Sequence, residues 1–287
     1  TFANEYNVPL AYGSYDELLN NQEIDAIYIA TPHSHHLENT LEVLSKKKAV
    51  LCEKPIAVNY RQVQQMVNAA KKERVLLMEA LWTKFLPSYE FVKKIVEERE
   101  LGEVKSIEAN FGFEAEYNPD ARLMNKSLAG GSLLDIGIYP IFLALDLLGL
   151  PEIISANATY FDTGVDSSVK MTFNYPNNLQ AQLYCTLLEK TPINATINFS
   201  GGKVIMHSRF HEPTTIEVLR DGKSSLHEFP AEGFGYHYEI EHFNELIRQG
   251  KTESPMMSLN KSLELINVLD KVRKEIGLEY PMDKSSE

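Results

Sequence analysis

Three short apolar runs, "IDAIYIAT" (24–31), "AVLCE" (49–53) and "VLLMEA" (75–80), are separated by stretches with helical spacing. This alternation constrains the fold more than any other feature of the chain. An apolar run without polar alternation is what a strand covered on both faces requires. Between the first two runs Leu37, Leu41 and Leu44 recur at helical intervals. Between the second and third, Val63, Met66, Val67 and Ala70 do so, with Asn59 placed as an N-cap. Strand, helix, strand, helix, strand with short connections predicts right-handed crossovers and a parallel sheet.

The pattern changes near residue 82. A helix over 87–98 leads to a strand over 103–113, a loop rich in Asn, Pro, Asp and Arg (115–127), and a long apolar helix over 131–148. Seven strand-like runs follow: 152–162, 165–175, 178–187, 192–199, 202–206, 214–219 and 224–229. "YPNN", "SGGK" and "RDGK" mark turns between them. Helices over 236–249 and 258–277 close the chain. Strands in series predict an antiparallel or mixed sheet. The expected architecture is therefore α/β, with two domains: residues 1–82 around a parallel sheet and residues 83–287 as an α+β unit.

The formal net charge of −12 argues against a nucleic-acid backbone as partner. No Lys/Arg run forms a basic arm; "KKK" at 46–48 reads as the cationic end of a helix. The two cysteines, Cys52 and Cys185, lie in apolar strand contexts and read as buried reduced thiols, which fits a cytoplasmic protein. No apolar run is expected to span a bilayer. "TFANEYNVP" reads as the last turns of a helix stopped before Pro9, so further sequence is expected upstream of Thr1.

In an open parallel sheet, ligands bind beyond the carboxyl ends of the strands. Here those ends carry Ala30-Thr31-Pro32-His33, Glu53-Lys54-Pro55 and Glu79-Ala80-Leu81-Trp82. Two readings of "EKP" stand side by side: a solvated strand end, or a lysine aimed into a ligand crevice. "TPHSHH" allows a metal site built on His33, His35 and His36. Such a site needs further ligands, and no histidine follows before His207. The histidines fit better as the opening of a helix, where their rings contact a cofactor, and no metal is expected.

"AGGSLLDIGIYPIFLALDLLG" (129–149) is a second constellation. Two glycines precede the helix and permit close backbone approach. Asp135 and Tyr139, spaced i and i+4, share a face of an otherwise apolar helix, and Gly137 leaves room beside them. A buried Asp–Tyr hydrogen bond is one reading. The other is chemistry: an ammonium close to a phenol lowers its pKa, and a shift of about three units takes roughly 4 kcal/mol. Lys54 and Tyr139 would then form an acid/base pair for carbonyl–alcohol interconversion. Asp135 would orient the substrate hydroxyl or the lysine.

"IDAIYIATPHSHH", "AVLCEKPIAVN", "EALWTKFLP" and "GGSLLDIGIYP", in this order, resemble the Gfo/Idh/MocA family of NAD(P)-dependent oxidoreductases across essentially the whole chain. Within it they are similar to the branch of the dimeric dihydrodiol dehydrogenases and glucose–fructose oxidoreductase. The resemblance implies a Rossmann domain followed by a domain with a large, mostly antiparallel open sheet, often the dimer interface. It implies that Thr31, Pro32, His33, His36, Glu53, Lys54, Pro55 and Trp82 line the cofactor, NAD or NADP. Lys54, Tyr139 and Asp135 would be catalytic, with tyrosine where many members have histidine. Arg122 is a weaker substrate candidate. The family's Gly-rich turn is absent from this sequence. By the resemblance Thr1 falls late in a helix, "PLAYG" is the third strand of the sheet, and the first two strands are expected to be missing. The implied activity is hydride transfer between a nicotinamide and a secondary alcohol of a sugar, cyclic polyol or vicinal diol, in a homo-oligomer, dimer or tetramer. A non-catalytic nucleotide- or sugar-binding regulator on the same fold is the alternative.

Overall fold

The alternation of apolar runs and helices forms a parallel sheet in a computed structural model that describes residues 2–230 and 233–284. Thr1, placed late in a helix by the resemblance, lies outside the described residues; the next residues form helix α1 (Phe2–Glu5). Helix α2 (Tyr15–Asn20) precedes strand β1 (Ala26–Ile29). A single 3-10 turn, His33–His35, opens α3 (His36–Ser45), so the histidines start a helix as expected. Strand β2 (Ala49–Glu53), helix α4 (Tyr60–Glu73) and strand β3 (Leu77–Ala80) follow. The three strands pair in parallel in the order β1-β2-β3, with Ile29 opposite Cys52 and Glu53 opposite Ala80. Their carboxyl ends are therefore level.

Asn59 caps α4 as the sequence suggested: its side chain accepts the Gln62 amide, and Val63, Met66, Val67 and Ala70 are buried. "PLAYG" differs from expectation. Residues 9–13 are not a strand; a strand exists only through its ladder, and the described residues offer this segment none. Of the three lysines after α3, Lys48 is buried and donates to the Asn21 and Ile24 carbonyls at 2.8 and 2.6 Å, tying the β1 approach to α3.

Helix α5 (Pro87–Glu97), with proline in its first turn, leads into β4 (Val104–Gly112). The apolar segment after the loop begins as a π-helical turn, Leu133–Gly137, and continues as α6 (Ile138–Leu148). Strands β5 (Ile153–Tyr160), β6 (Asp166–Asn174), β7 (Gln180–Thr186), β8 (Ala195–Phe199), β9 (Gly202–Met206), β10 (Ile216–Arg220) and β11 (Lys223–His227) complete an eight-stranded sheet. Its order is β11-β10-β9-β8-β4-β7-β6-β5, antiparallel except where β4 runs parallel to β7. Helices α7 (Tyr236–Arg248) and α8 (Leu259–Ile276) follow.

The stretch Lys126–Leu148 corrects one expectation. With a mean hydropathy of 1.7 it is long and apolar enough by composition to cross a bilayer, yet 94% of its apolar window is buried inside the fold. Ile138 to Ala144 are all buried, against the sheet strands β4 and β7 and against α8. Each large apolar side chain there stabilises the fold by about 1.5–3 kcal/mol. Helix α8 also packs on α4 and β3. Its Arg273 forks onto Asp283 at 2.9 Å and reaches the Val58 carbonyl, so the C-terminal segment clamps the loop after β2.

Candidate active site

Lys54 stands one residue beyond β2, on a loop that is fastened from two sides. The buried His36 ring meets the Pro55 carbonyl through Nδ1 at 2.9 Å and the Thr31 carbonyl through Nε2 at 2.8 Å. Glu79, near the end of β3, accepts the Ile56 amide at 2.9 Å. His36 thereby joins the loops that follow β1 and β2. Two acceptors favour its imidazolium, but burial outweighs them and holds its pKa below the ordinary value.

Asp135 and Tyr139 are delivered by the π turn and by the first turn of α6. A Cβ on Gly130 would lie 2.5 Å from the Arg122 carbonyl oxygen, and Gly131 has φ of +116°, so the glycine pair lets the 115–127 loop close onto the helix start. Buried Asp166 accepts both the Ser132 hydroxyl at 2.7 Å and the Leu133 amide at 2.6 Å, which holds the turn in place.

The two halves meet in a crevice of about 360 Å³ at the level ends of β1 and β2. Thr31, Pro32, His33, His36, Glu53, Lys54, Arg122, Asp135 and Tyr139 line it, together with Leu128 and Tyr236. Lys54 Nζ donates to the Asp135 backbone carbonyl at 2.6 Å and lies 3.7 Å from its Oδ1. The same ammonium sits over the Tyr139 ring, 4.9 Å from the centroid. Arg122 Nη1 donates to Asp135 Oδ1 at 2.7 Å. Burial works to raise the Asp135 pKa, but Lys54, Arg122 and His33 together hold it below the usual value. The Asp–Tyr hydrogen bond is not formed: the carboxylate is taken by the lysine and the arginine.

Trp82 Nε1 donates to the Tyr139 hydroxyl at 2.9 Å. The phenol oxygen therefore accepts, and its own proton is left to serve another group. Trp82 stacks flat on Tyr236, with centroids 4.2 Å apart at 10°. It stands behind Tyr139 rather than in the crevice wall. Pro55 likewise acts through its carbonyl, behind Lys54. His211 packs against Tyr139 at 4.8 Å, and burial lowers its pKa.

The expected lowering of the Tyr139 pKa is overturned. Burial pushes this phenol well above its ordinary value; the Trp82 hydrogen bond works the other way, and Glu53, Asp135 and Glu239 raise it further. The physical reason is burial: the Lys54 ammonium gives its hydrogen bond to the Asp135 carbonyl and lies over the Tyr139 ring, 4.9 Å from the centroid, and does not offset it. Without a substrate the tyrosine is a neutral phenol.

The metal reading of the histidines also fails on geometry. His36 has both ring nitrogens against carbonyls, and His33 Nδ1 is 3.0 Å from the Ala129 carbonyl. Burial, aided by His36 and Lys54, drops the His33 pKa to about 3. Among the described residues no group of three or more His, Cys, Asp or Glu side chains is placed to hold a metal ion.

Tyr236, Glu239 and His211 were not singled out from the sequence. The glycines before Tyr236 were the one signal available for it. A glutamate at the position where the inward stripe of α7 passes through Glu239, Phe243 and Leu246 was the signal for the second. Nothing in the sequence around His211 distinguishes it from a surface loop.

Residues 1–81 match the model described as "Oxidoreductase family, NAD-binding Rossmann fold", and residues 89–205 match the GFO/IDH/MocA C-terminal domain. The chain belongs to the Gfo/Idh/MocA family. It is 37% identical to a trans-1,2-dihydrobenzene-1,2-diol dehydrogenase of Xenopus tropicalis, over 98% of this chain and 87% of the relative. The human enzyme of that name is 35% identical, over 99% of this chain and 86% of the relative. Among solved structures, a 3-ketoreductase from Actinomadura kijaniata in complex with TDP-benzene and NADP superposes with a TM-score of 0.83 at 26% identity, covering 96% of this chain and 84% of that one. An aldose-aldose oxidoreductase from Caulobacter crescentus shares the fold, with a TM-score of 0.85 at 23% identity, covering 96% and 84%. This Gfo/Idh/MocA chain is an NAD(P)-dependent dehydrogenase or reductase, and its cofactor is NAD or NADP.

Proposed function

We propose that this chain interconverts a secondary alcohol and a carbonyl on a sugar, cyclic polyol or vicinal diol, with Tyr139 as the group that gives and takes the hydroxyl proton. One observation carries the reading: the Lys54 ammonium and the Tyr139 phenol, from the two halves of the chain, share one crevice, 4.9 Å apart from nitrogen to ring centroid. The names of the relatives support the substrate class.

The residues present fit a nicotinamide nucleotide. The loops after β1 and β2 open on the crevice, the Glu53 carboxylate lies in its wall, accepting the Tyr28 hydroxyl and the Lys54 amide, and among the described residues no side-chain cluster suits a metal instead. When bound, the nicotinamide accepts or supplies the hydride at the alcohol carbon. The protein handles the proton. In reduction, the neutral Tyr139 phenol gives its proton to the carbonyl oxygen as negative charge grows there, and the phenolate left behind is stabilised by Lys54. In oxidation, that phenolate takes the proton back. Lys54 also supplies positive charge at the reacting oxygen. Asp135 holds Lys54 in register, and Arg122 holds the Asp135 carboxylate.

The test is turnover of Lys54→Ala and Tyr139→Phe on a panel of polyols and vicinal diols with both NAD and NADP. Loss in both variants, with cofactor binding kept, supports the assignment; full turnover in both removes it.

The same reading takes the chain as a homodimer or tetramer through the open face of its eight-stranded sheet. Half-buried and exposed side chains along β5 support it, and sedimentation velocity tests it. The reading also takes the chain as cytoplasmic, supported by two buried, unpaired thiols.

A further inference from the structure

Glu79 lies in β3, directly opposite Cys52 of β2, and is 1% exposed. Its Oε1 accepts the Ile56 amide at 2.9 Å, and its Oε2 has no hydrogen-bond partner. A buried carboxyl with half its acceptors unmet is costly, and the group it satisfies is the buried Ile56 amide. The one bond it makes goes to the segment two residues beyond Lys54. That segment is fastened on its other side by His36 to the Pro55 carbonyl.

We propose that Glu79 is a positioning residue for Lys54: its carboxylate fixes the Ile56 amide, and with it the loop from which the ammonium reaches Asp135 and Tyr139. The proposal rests on the assignment of Lys54 to the reaction. A shift of the loop by a fraction of an ångström moves an ammonium that is held at 2.6 Å from the Asp135 carbonyl. The groups facing Glu79 are Cys52 and Glu53 of β2, Lys54 on the loop, and Ser262 of α8, whose hydroxyl falls outside hydrogen-bond geometry. Burial raises the Glu79 pKa, Ser262 and the Ile56 amide oppose this, Glu53 adds to it and Lys54 opposes it. The balance lies at about 7. Raising the pH through neutrality therefore creates a stronger acceptor for Ile56 and a charge that favours the ammonium.

The experiment compares Glu79→Leu, Glu79→Gln and Lys54→Ala. Glu79→Leu leaves the buried Ile56 amide without its acceptor, so some loss of thermal midpoint is expected. The deciding readout is kcat of the folded variant, which is expected to fall on the order of tenfold or more. A merely structural glutamate would lower the midpoint and leave kcat in place. In 15N-labelled protein without cofactor, the Ile56 amide resonance is expected to titrate with a midpoint of about 7 in the wild type, and not in Glu79→Gln. In the wild type kcat is expected to rise through neutral pH as Glu79 ionises, and in Glu79→Gln that rise is expected to be absent. An unchanged kcat in Glu79→Leu, or an Ile56 amide that does not titrate, overturns the proposal. If Glu79→Leu does not fold, the titration and the Glu79→Gln profile decide alone. Turnover retained in Lys54→Ala would instead break the assignment of Lys54, whatever the Glu79 variants do.

Discussion

The Lys54 ammonium faces the ring of Tyr139, 4.9 Å from its centroid, while the phenol oxygen is engaged by the Trp82 indole N–H at 2.9 Å. The lysine thus stabilises the aromatic face and stands ready for a negative oxygen without drawing the proton away beforehand. Burial, with Glu53, Asp135 and Glu239 against the Trp82 hydrogen bond, keeps the phenol protonated well above its ordinary range. The expected outcome is that carbonyl reduction shows no alkaline loss from Tyr139 below about pH 10. Single-turnover rates against pH check this. A loss centred near neutrality that disappears in Tyr139→Phe would contradict it.

Asp135 is a buried carboxylate between two cations. Its folded pKa is depressed by Lys54, Arg122 and His33, against burial. The sign follows: the stabilisation is present above the unfolded value of about 3.9 and is lost as pH falls through the lower folded value. Asp135→Asn leaves the Lys54 and Arg122 charges without their partner. Urea unfolding at neutral pH should show a loss of about 3 kcal/mol or more. The difference from wild type should shrink as the pH falls toward the lower folded value.

Glu239 presents the opposite case. It is 1% exposed, neither carboxyl oxygen has a partner, and burial with the field of Glu53 raises its pKa to about 9. An acid with a raised folded pKa leaves the fold most stable below its unfolded value of about 4.3, and stability falls as pH rises through the folded value. Glu239→Gln removes that dependence. Its denaturation midpoint at pH 8 should exceed the wild-type value by about 1 kcal/mol or more in stability, with no gain near pH 4.

Gly137 separates the π turn from α6 at a point of close packing. A Cβ there would stand 2.8 Å from Cys185 Sγ and 3.2 Å from Leu133 Cδ1. Gly137→Ala should therefore cost about 1–3 kcal/mol despite the better helix propensity of alanine, and it should displace Asp135. Thermal unfolding together with KM and kcat measures both effects. A more stable Gly137→Ala protein would show that the turn has room to spare.

Much of this was legible in local pattern. The buried strands, the Asn59 cap and the residues at the strand ends follow from apolar runs and cap chemistry, which act over a few residues. Lys54, Asp135 and Tyr139 stood out because each is polar in an apolar setting. What pattern could not supply was orientation. Helical spacing places Asp135 and Tyr139 on one face, yet the π turn and two cations from elsewhere in the chain claim the carboxylate. The direction of the Tyr139 shift depends on desolvation by Trp82, His211 and Phe111, which lie 57, 72 and 28 residues away in sequence and meet only in the fold. The "PLAYG" strand was expected from resemblance, and among the described residues the segment 9–13 finds no ladder to join.

The most direct measurement is the turnover of Tyr139→Phe beside its cofactor affinity, read from the fluorescence of Trp82, the single tryptophan of the chain. The ring, its packing against Phe111 and His211 and the Lys54 contact survive this substitution; the transferable proton and the acceptor for the Trp82 indole N–H do not. The account predicts that kcat falls by about 10²-fold or more while cofactor affinity stays within a few fold. A kcat within about threefold of wild type would contradict it, because the proton would then be moving through another group.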